Sequence, residues 1–175
     1  MIMKWSLFIL LFACSGAKTT ETASEAILET SSEVSPEPSS EETEILVYIN
    51  ELVAKSDVTE DWLELYNAAD VAVDISGFTL EDSGGIPWAL PEGTEIEADG
   101  FLLIWADDGV EGEGLHAPFK LSKDGEEVIL RDPTGSLVDD VISPELLAEE
   151  AYARVTDGAD EWSIRSAGTP GASND

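Results

Sequence analysis

Beyond residue 45 the apolar positions fall into short runs, each cut off within a few residues by Gly, Pro, Asp or Ser. Runs of this length, rich in β-branched and aromatic residues and bounded by turn formers, have the period of strands and not of helices. The predicted strands are 45–52, 62–66, 71–75, 78–80, 88–90, 101–105, 117–121, 126–131, 136–142, 152–155 and 162–164. Lys123-Asp124-Gly125 and Asp132-Pro133-Thr134-Gly135 read as hairpin turns. Ser143-Pro144-Glu145 is predicted to start a short helical turn through Glu150, with Ser as cap and Pro in the first helical position. Many short strands with such turns make 45–175 a two-sheet β-sandwich, and the chain all-β.

The first residues have another pattern. Lys4 precedes the run Trp5-Ser6-Leu7-Phe8-Ile9-Leu10-Leu11-Phe12. A charged start and an apolar stretch too short for a membrane-spanning helix fit a secretory signal over 1–13. The run closes on Leu11-Phe12-Ala13-Cys14, which resembles the lipobox of bacterial lipoproteins, and Cys14 is the only cysteine. That resemblance implies cleavage before Cys14 and acyl chains on it. Ser15 in the next position implies an outer-membrane destination. Several acyl chains hold a protein firmly, since each buried methylene contributes about 0.8 kcal/mol.

Residues 15–44 are Ser, Thr, Glu, Ala and Pro with few large apolar side chains. Glu21, Glu25, Glu29, Glu33, Glu37 and Glu41 would stack as like charges on a helix, which Pro36 and Pro38 would break. The segment 14–44 therefore reads as a lipidated Cys followed by a disordered, self-repelling acidic linker. Its contour is roughly 100 Å fully extended and about 30 Å as a coil.

Charge narrows the partners. The chain carries 38 acidic against 8 basic residues, a formal net charge of -30. The sandwich region alone holds 30 acidic and 6 basic residues, an excess of 24 negative charges. No basic footprint exists for phosphates, so nucleic acid is excluded as a partner. An anionic lipid surface would repel the chain, which leaves a covalent anchor as the route to a membrane. Such charge also favours a soluble monomer. One cysteine rules out an intramolecular disulfide, and one histidine, His116, leaves nucleophilic triads and His-rich metal sites without partners.

Several segments, in order, resemble the lamin-tail domain family. They are Tyr48-Ile49-Asn50-Glu51, Asp61-Trp62-Leu63-Glu64-Leu65-Tyr66-Asn67 and Val73-Asp74-Ile75-Ser76-Gly77-Phe78-Thr79-Leu80. Leu90-Pro91-Glu92-Gly93-Thr94, Leu115-His116-Ala117-Pro118-Phe119-Lys120-Leu121-Ser122, Tyr152-Ala153-Arg154 and Thr169-Pro170-Gly171-Ala172-Ser173-Asn174 continue the pattern. The resemblance implies an immunoglobulin-like β-sandwich, and bacterial members that are secreted or surface-attached. It supplies a fold more securely than a function.

Four groups of side chains are candidates for chemistry. Glu51 and Glu64, flanked by Asn50 and Asn67, would form a metal or catalytic pair, or else satisfy strand ends and turns. Asp107, Asp108, Glu111 and Glu113 crowd the Gly-rich loop 106–114. They would suit Ca²⁺, which takes about six to eight oxygens, although their spacing is not that of an EF-hand; the plainer reading is a solvated acidic loop. His116 is expected to make structural hydrogen bonds. Trp62, Trp88, Trp105 and Trp162 would build either an aromatic platform or the core.

These readings lead to a noncatalytic binding or structural module, displayed on the envelope and contacting protein or glycan at strand edges or loops. A calcium-dependent surface or adhesion domain is the alternative, and a carboxylate-based hydrolase the third. No cofactor other than calcium is expected. Cys14→Ser is expected to move the protein from the membrane fraction into the soluble one on cell fractionation; continued membrane retention would count against the lipobox.

Overall fold

The computed structural model describes residues 45–54 and 60–175, which lie in a unit spanning Glu42–Asp175, one of two into which the chain divides. The leader, Cys14 and the linker lie outside the described residues. A six-stranded sheet runs in the order β12 (Trp162–Arg165), β11 (Ala151–Arg154), β1 (Val47–Val53), β2 (Asp61–Asn67), β7 (Phe101–Ala106), β8 (Leu115–Ala117). A four-stranded sheet runs β10 (Leu137–Ser143), β9 (Glu126–Arg131), β4 (Thr79–Glu81), β5 (Trp88–Ala89). The short strands β3 (Val73–Asp74) and β6 (Glu95–Ile96) pair with each other. Every pairing is antiparallel except that of β7 with β8. The protein is all-β, with the multiple antiparallel sheets of an immunoglobulin-like fold.

One core joins both sheets. Val47, Ile49, Leu52, Leu63, Leu65 and Ile104 of the larger sheet meet Leu80, Val128, Leu130 and Val141 of the smaller one. Ile75 and Ile96, at the two-stranded pair, belong to the same cluster. Burying such a Leu or Ile side chain contributes about 1.5–3 kcal/mol relative to exposure.

The phase of β1 depends on a bulge. Its register with β2 pairs Ile49 with Leu65 and Glu51 with Glu64, leaving Asn50 as the extra residue. Strict alternation from Val47 and Ile49 would drive Glu51 into the core. The extra residue instead returns Leu52 and Ala54 to the core face and turns Glu51 and Val53 outward. On that outer face Val53, Trp62 and Ala151 form a second apolar cluster, with Leu103 and Trp105 packed against it.

The bulge also sets up a polar link between the sheets. Ile49 donates its N–H to Asp139 Oδ2 on β10 at 2.7 Å, and its carbonyl accepts from Arg154 Nε at 2.8 Å. Arg154 closes the circuit with a 2.8 Å ion pair from Nη2 to Asp139 Oδ2, donates Nη1 to Ala159 O, and lies over the Trp162 ring at 4.7 Å. The Arg154 side chain is only 4% exposed. An unpaired partner left behind in such a setting is costly.

Three elements differ from their predicted forms. Ser143 ends β10 and accepts the Glu126 N–H on its Oγ, so it is not free to cap a helix. Leu146 plugs the core and bonds Lys123 O through its N–H, while Glu149 sits at φ 66; residues 144–150 form no helix. Lys123-Asp124-Gly125 leads into β9 but is not a hairpin turn, because the partners of β9 are β10 and β4. The predicted strand 117–121 is interrupted at Pro118, which has no N–H to give a ladder; β8 ends at Ala117 and only an isolated Asp107–Lys120 bridge follows. The Asp132–Gly135 turn does join β9 to β10. Arg154→Met is expected to lower unfolding free energy by about 3–5 kcal/mol in urea titrations, by stranding Asp139.

Candidate functional site

Glu51 and Glu64 face one another on the outer side of the larger sheet, as directly opposed Cα partners on β1 and β2. Side chains so placed have their Cβ atoms about 4.5–5.5 Å apart. Glu51 is flanked on its other side by Ala153 of β11, and Glu64 by Leu103 of β7, so apolar neighbours close both flanks. Both glutamates are fully buried.

The lid over them is the C-terminal strap, residues 166–175. Thr169 donates its N–H (2.9 Å) and its hydroxyl (3.2 Å) to Glu51 Oε2. Gly171 donates its N–H to Glu64 Oε2 at 2.5 Å. Asn174 fastens the end of the strap: its N–H goes to Asp157 Oδ1 at 3.0 Å, its side-chain amide to Asn50 O, and its carbonyl accepts from Arg165. Gly168 lies flat on Trp62, where a Cβ would stand 2.5 Å from the indole. The other oxygen of each glutamate, Oε1, is buried and has no hydrogen-bond partner among the described residues.

Burial dominates the protonation of this pair. It pushes Glu64 up from 4.5 to about 7, against the pull of the Gly171 N–H, with the Glu51 charge pushing the same way. The Asn50 amide lies close enough to favour the charged form, without a well-formed hydrogen bond to the free oxygen. Glu51 is raised for the same first reason, opposed by Thr169 and by Arg165, and aided by Asp157. Asp61, at the start of β2, is raised by burial to about 6 despite Lys120 and the Leu121 N–H.

The acidic loop is organised differently. Asp107 is buried and holds His116: its Oδ2 lies 2.7 Å from Nδ1, and Glu113 O lies 3.2 Å from Nε2. Both contacts are acceptors, an arrangement that favours the doubly protonated imidazole. The Asp107 hydrogen bond raises His116 accordingly. Burial pushes Asp107 up, but His116 and the Val110 and Gly109 N–H groups outweigh it and leave the carboxyl below its ordinary range. The remaining Asp107 oxygen accepts the Val110 N–H at 3.1 Å. Asp108, Glu111 and Glu113 stay exposed, and Asp108 Oδ2 lies 3.8 Å from Lys120 Nζ. The four proposed calcium ligands are therefore not brought together. Among the described residues, no group of three or more His, Cys, Asp or Glu is placed to hold a metal.

The tryptophans are packing residues first. Trp62 is buried in the outer cluster, Trp105 lies against it, and Trp88 and Trp162 pack on the main core. Asn67 serves the fold, its amide reaching Val71 O, Ile96 O and Glu97 O. Sequence reasoning missed Glu126, whose buried carboxylate accepts from Ser83, Ser122 and Glu127. It also missed Asp157 and the Asp139–Arg154 pair. The only available signal for the strap's role was the quoted closing motif 169–174.

An all-β, immunoglobulin-like domain of several antiparallel sheets, with its polar groups turned to internal fastening, is the class of protein that fold and site define. Residues 40–144 match the Lamin Tail Domain family, and the chain belongs to it. The match stops before β11, β12 and the strap, so the resemblance expected at 152–154 and 169–174 lies beyond it. No curated protein matches the chain.

Glu51, Asp61 and Glu64 bind a proton more tightly folded than unfolded. Their contribution is full below the ordinary carboxylate range and is lost as pH rises, through about 6 for Asp61, about 7 for Glu64 and the raised value of Glu51. His116 acts in the same sense: its contribution is lost as pH rises through its raised value. Asp74, Asp107 and Asp132 oppose this only in stronger acid, since their lowered values lose stability as pH falls. The melting temperature is expected to be higher by on the order of 5 °C at about pH 5 than at about pH 8, with Glu64→Gln flattening that slope. A profile that rises toward pH 8 would contradict the assignment.

Proposed function

We propose that this chain is a noncatalytic module, anchored through acyl chains on Cys14 and displayed on the bacterial envelope by its acidic linker, where it binds a protein partner by strand addition. The observation that carries the reading is the position of β10 at the end of the smaller sheet. The strand β10 is seven residues long, ends the sheet order, and exposes Leu137 and Ile142, the latter by 68%. A long edge strand offers unpaired backbone groups to an extended segment, and alternate side chains add specificity. Charge supports a basic partner segment, since the domain carries the 24 excess negative charges and exposes Asp140 on the same strand.

The anchor and the outer-membrane location are supported by Cys14 at the end of its apolar run and by Ser15 after it. A noncatalytic role is supported by the use of buried polar groups: Asp107, Glu126, Arg154 and Asn67 each satisfy neighbouring backbone or side chains.

A photo-crosslinking residue at position 142 in intact cells is expected to give one discrete protein adduct. The same residue at Val71, 63% exposed and outside β10, is expected to give none. Ile142→Lys should reduce the yield of crosslinking from position 137 about tenfold while shifting stability by no more than about 0.5 kcal/mol. Equal adducts from 142 and 71, or an adduct to glycan alone, would overturn the protein-partner reading.

A further inference from the structure

We infer that Glu51 and Glu64 bind one shared proton, and that this proton latches the C-terminal strap, residues 166–175, onto the outer face of the larger sheet. The geometry carries the inference. Two carboxyls oppose one another across adjacent strands, each fully buried, each spending Oε2 on a strap N–H and leaving Oε1 without a partner. Two buried oxygens without partners, on carboxyls of directly opposed residues, leave two acceptors without a hydrogen. A proton on one side chain gives the other an acidic hydrogen to receive, and removes one of two like charges from a site closed to water.

Among the described residues, the surroundings of the pair supply one cation. From β1 the pair meets the Asn50 amide, which favours the charged form of Glu64 but carries no charge; from the turn after β11 it meets Asp157, which adds negative charge. From β12 it meets Arg165, whose guanidinium is also engaged by the carbonyls of Asn174, Arg154 and Val155. From the strap come only the Thr169 and Gly171 donors. With two glutamates and Asp157 against one arginine, the closed site is short of positive charge unless a proton is bound.

The strap is what buries the pair, so proton binding and strap closure are linked. The closed form holds the proton more tightly than the open one, and proton loss must favour opening. On release the proton goes to solvent, both carboxylates become charged, and water reaches them as Thr169 and Gly171 lift away. Opening also uncovers Trp62, on which Gly168 rests, beside Val53, Leu103 and Trp105. An apolar patch is thereby hidden at acidic pH and presented as pH rises. This holds whether or not β10 binds a partner.

Hydrogen exchange of the full chain tests the latch. After correction for intrinsic exchange, protection of residues 166–175 is expected to fall about tenfold or more between about pH 6 and about pH 8.5, while β2 and β7 change less than about twofold. Glu64→Gln should make strap protection the same at both values. If that variant loses β2 and β7 protection it has not folded, and the carboxyl ¹³C shifts of Glu51 and Glu64 in the unaltered chain decide. Two coupled steps, one near neutrality, support the shared proton. Strap protection that is constant with pH, or that falls on acidification, would overturn the proposal. So would two independent titrations in the ordinary carboxylate range, or restoration of protection at high pH by Ca²⁺, which would make the bound species a metal cation.

Discussion

The extra residue in β1 is the constraint on which the remaining structure depends. A strand whose apolar positions are Val47, Ile49, Leu52 and Ala54 cannot bury all four in one unbroken alternation. Inserting Asn50 resolves the phase and takes Ile49's N–H and carbonyl to Asp139 and Arg154. One local irregularity thus aligns the core, ties β1 to β10 of the other sheet, and places Glu51 opposite Glu64 on the outer face. None of the three would survive a slip of one residue, because such a slip exchanges the two faces of a strand.

Charge is used in two ways by this acidic domain. Most carboxylates are solvated and account for its low isoelectric balance. A few are drawn inside and matched to donors: Asp107 to His116, Glu126 to three backbone N–H groups and the Ser83 hydroxyl, Asp139 to Arg154. Glu51 and Glu64 are the exception. Their donors satisfy one oxygen each, and the deficit appears as raised proton affinity in the interior of a chain that is otherwise strongly negative. The strap that covers them lies outside the stretch matched by the family, so the glutamates and their lid belong to different parts of the sequence record.

The functional reading and the latch occupy separate surfaces. The proposed strand addition would use β10 at the end of the smaller sheet, where Ile142 and Leu137 are exposed. The latch acts on the outer face of the larger sheet, over Trp62. The domain could present both without rearranging its core, since Leu137 and Ile142 are exposed and the latch lies on the outer face.

The all-β class, the sandwich and most strand positions were legible in the sequence, because a period of two and Gly, Pro and Asp turns are local properties of the chain. The family was legible for the same reason, being carried by short ordered motifs from Tyr48 to Ser122. What the sequence left open was every feature set by distant partners. Ser143 looks like a helix cap until Glu126 claims its hydroxyl, and Asp107 looks like a calcium ligand until His116 claims its carboxylate. Glu51 and Glu64 stand out as a pair in the sequence, yet only the bulge at Asn50 and the strap 118 residues downstream of Glu51 make them a closed site. Local pattern fixes which elements form; which polar groups are spent, and which remain free, is decided only when segments far apart in the chain exclude water from one another.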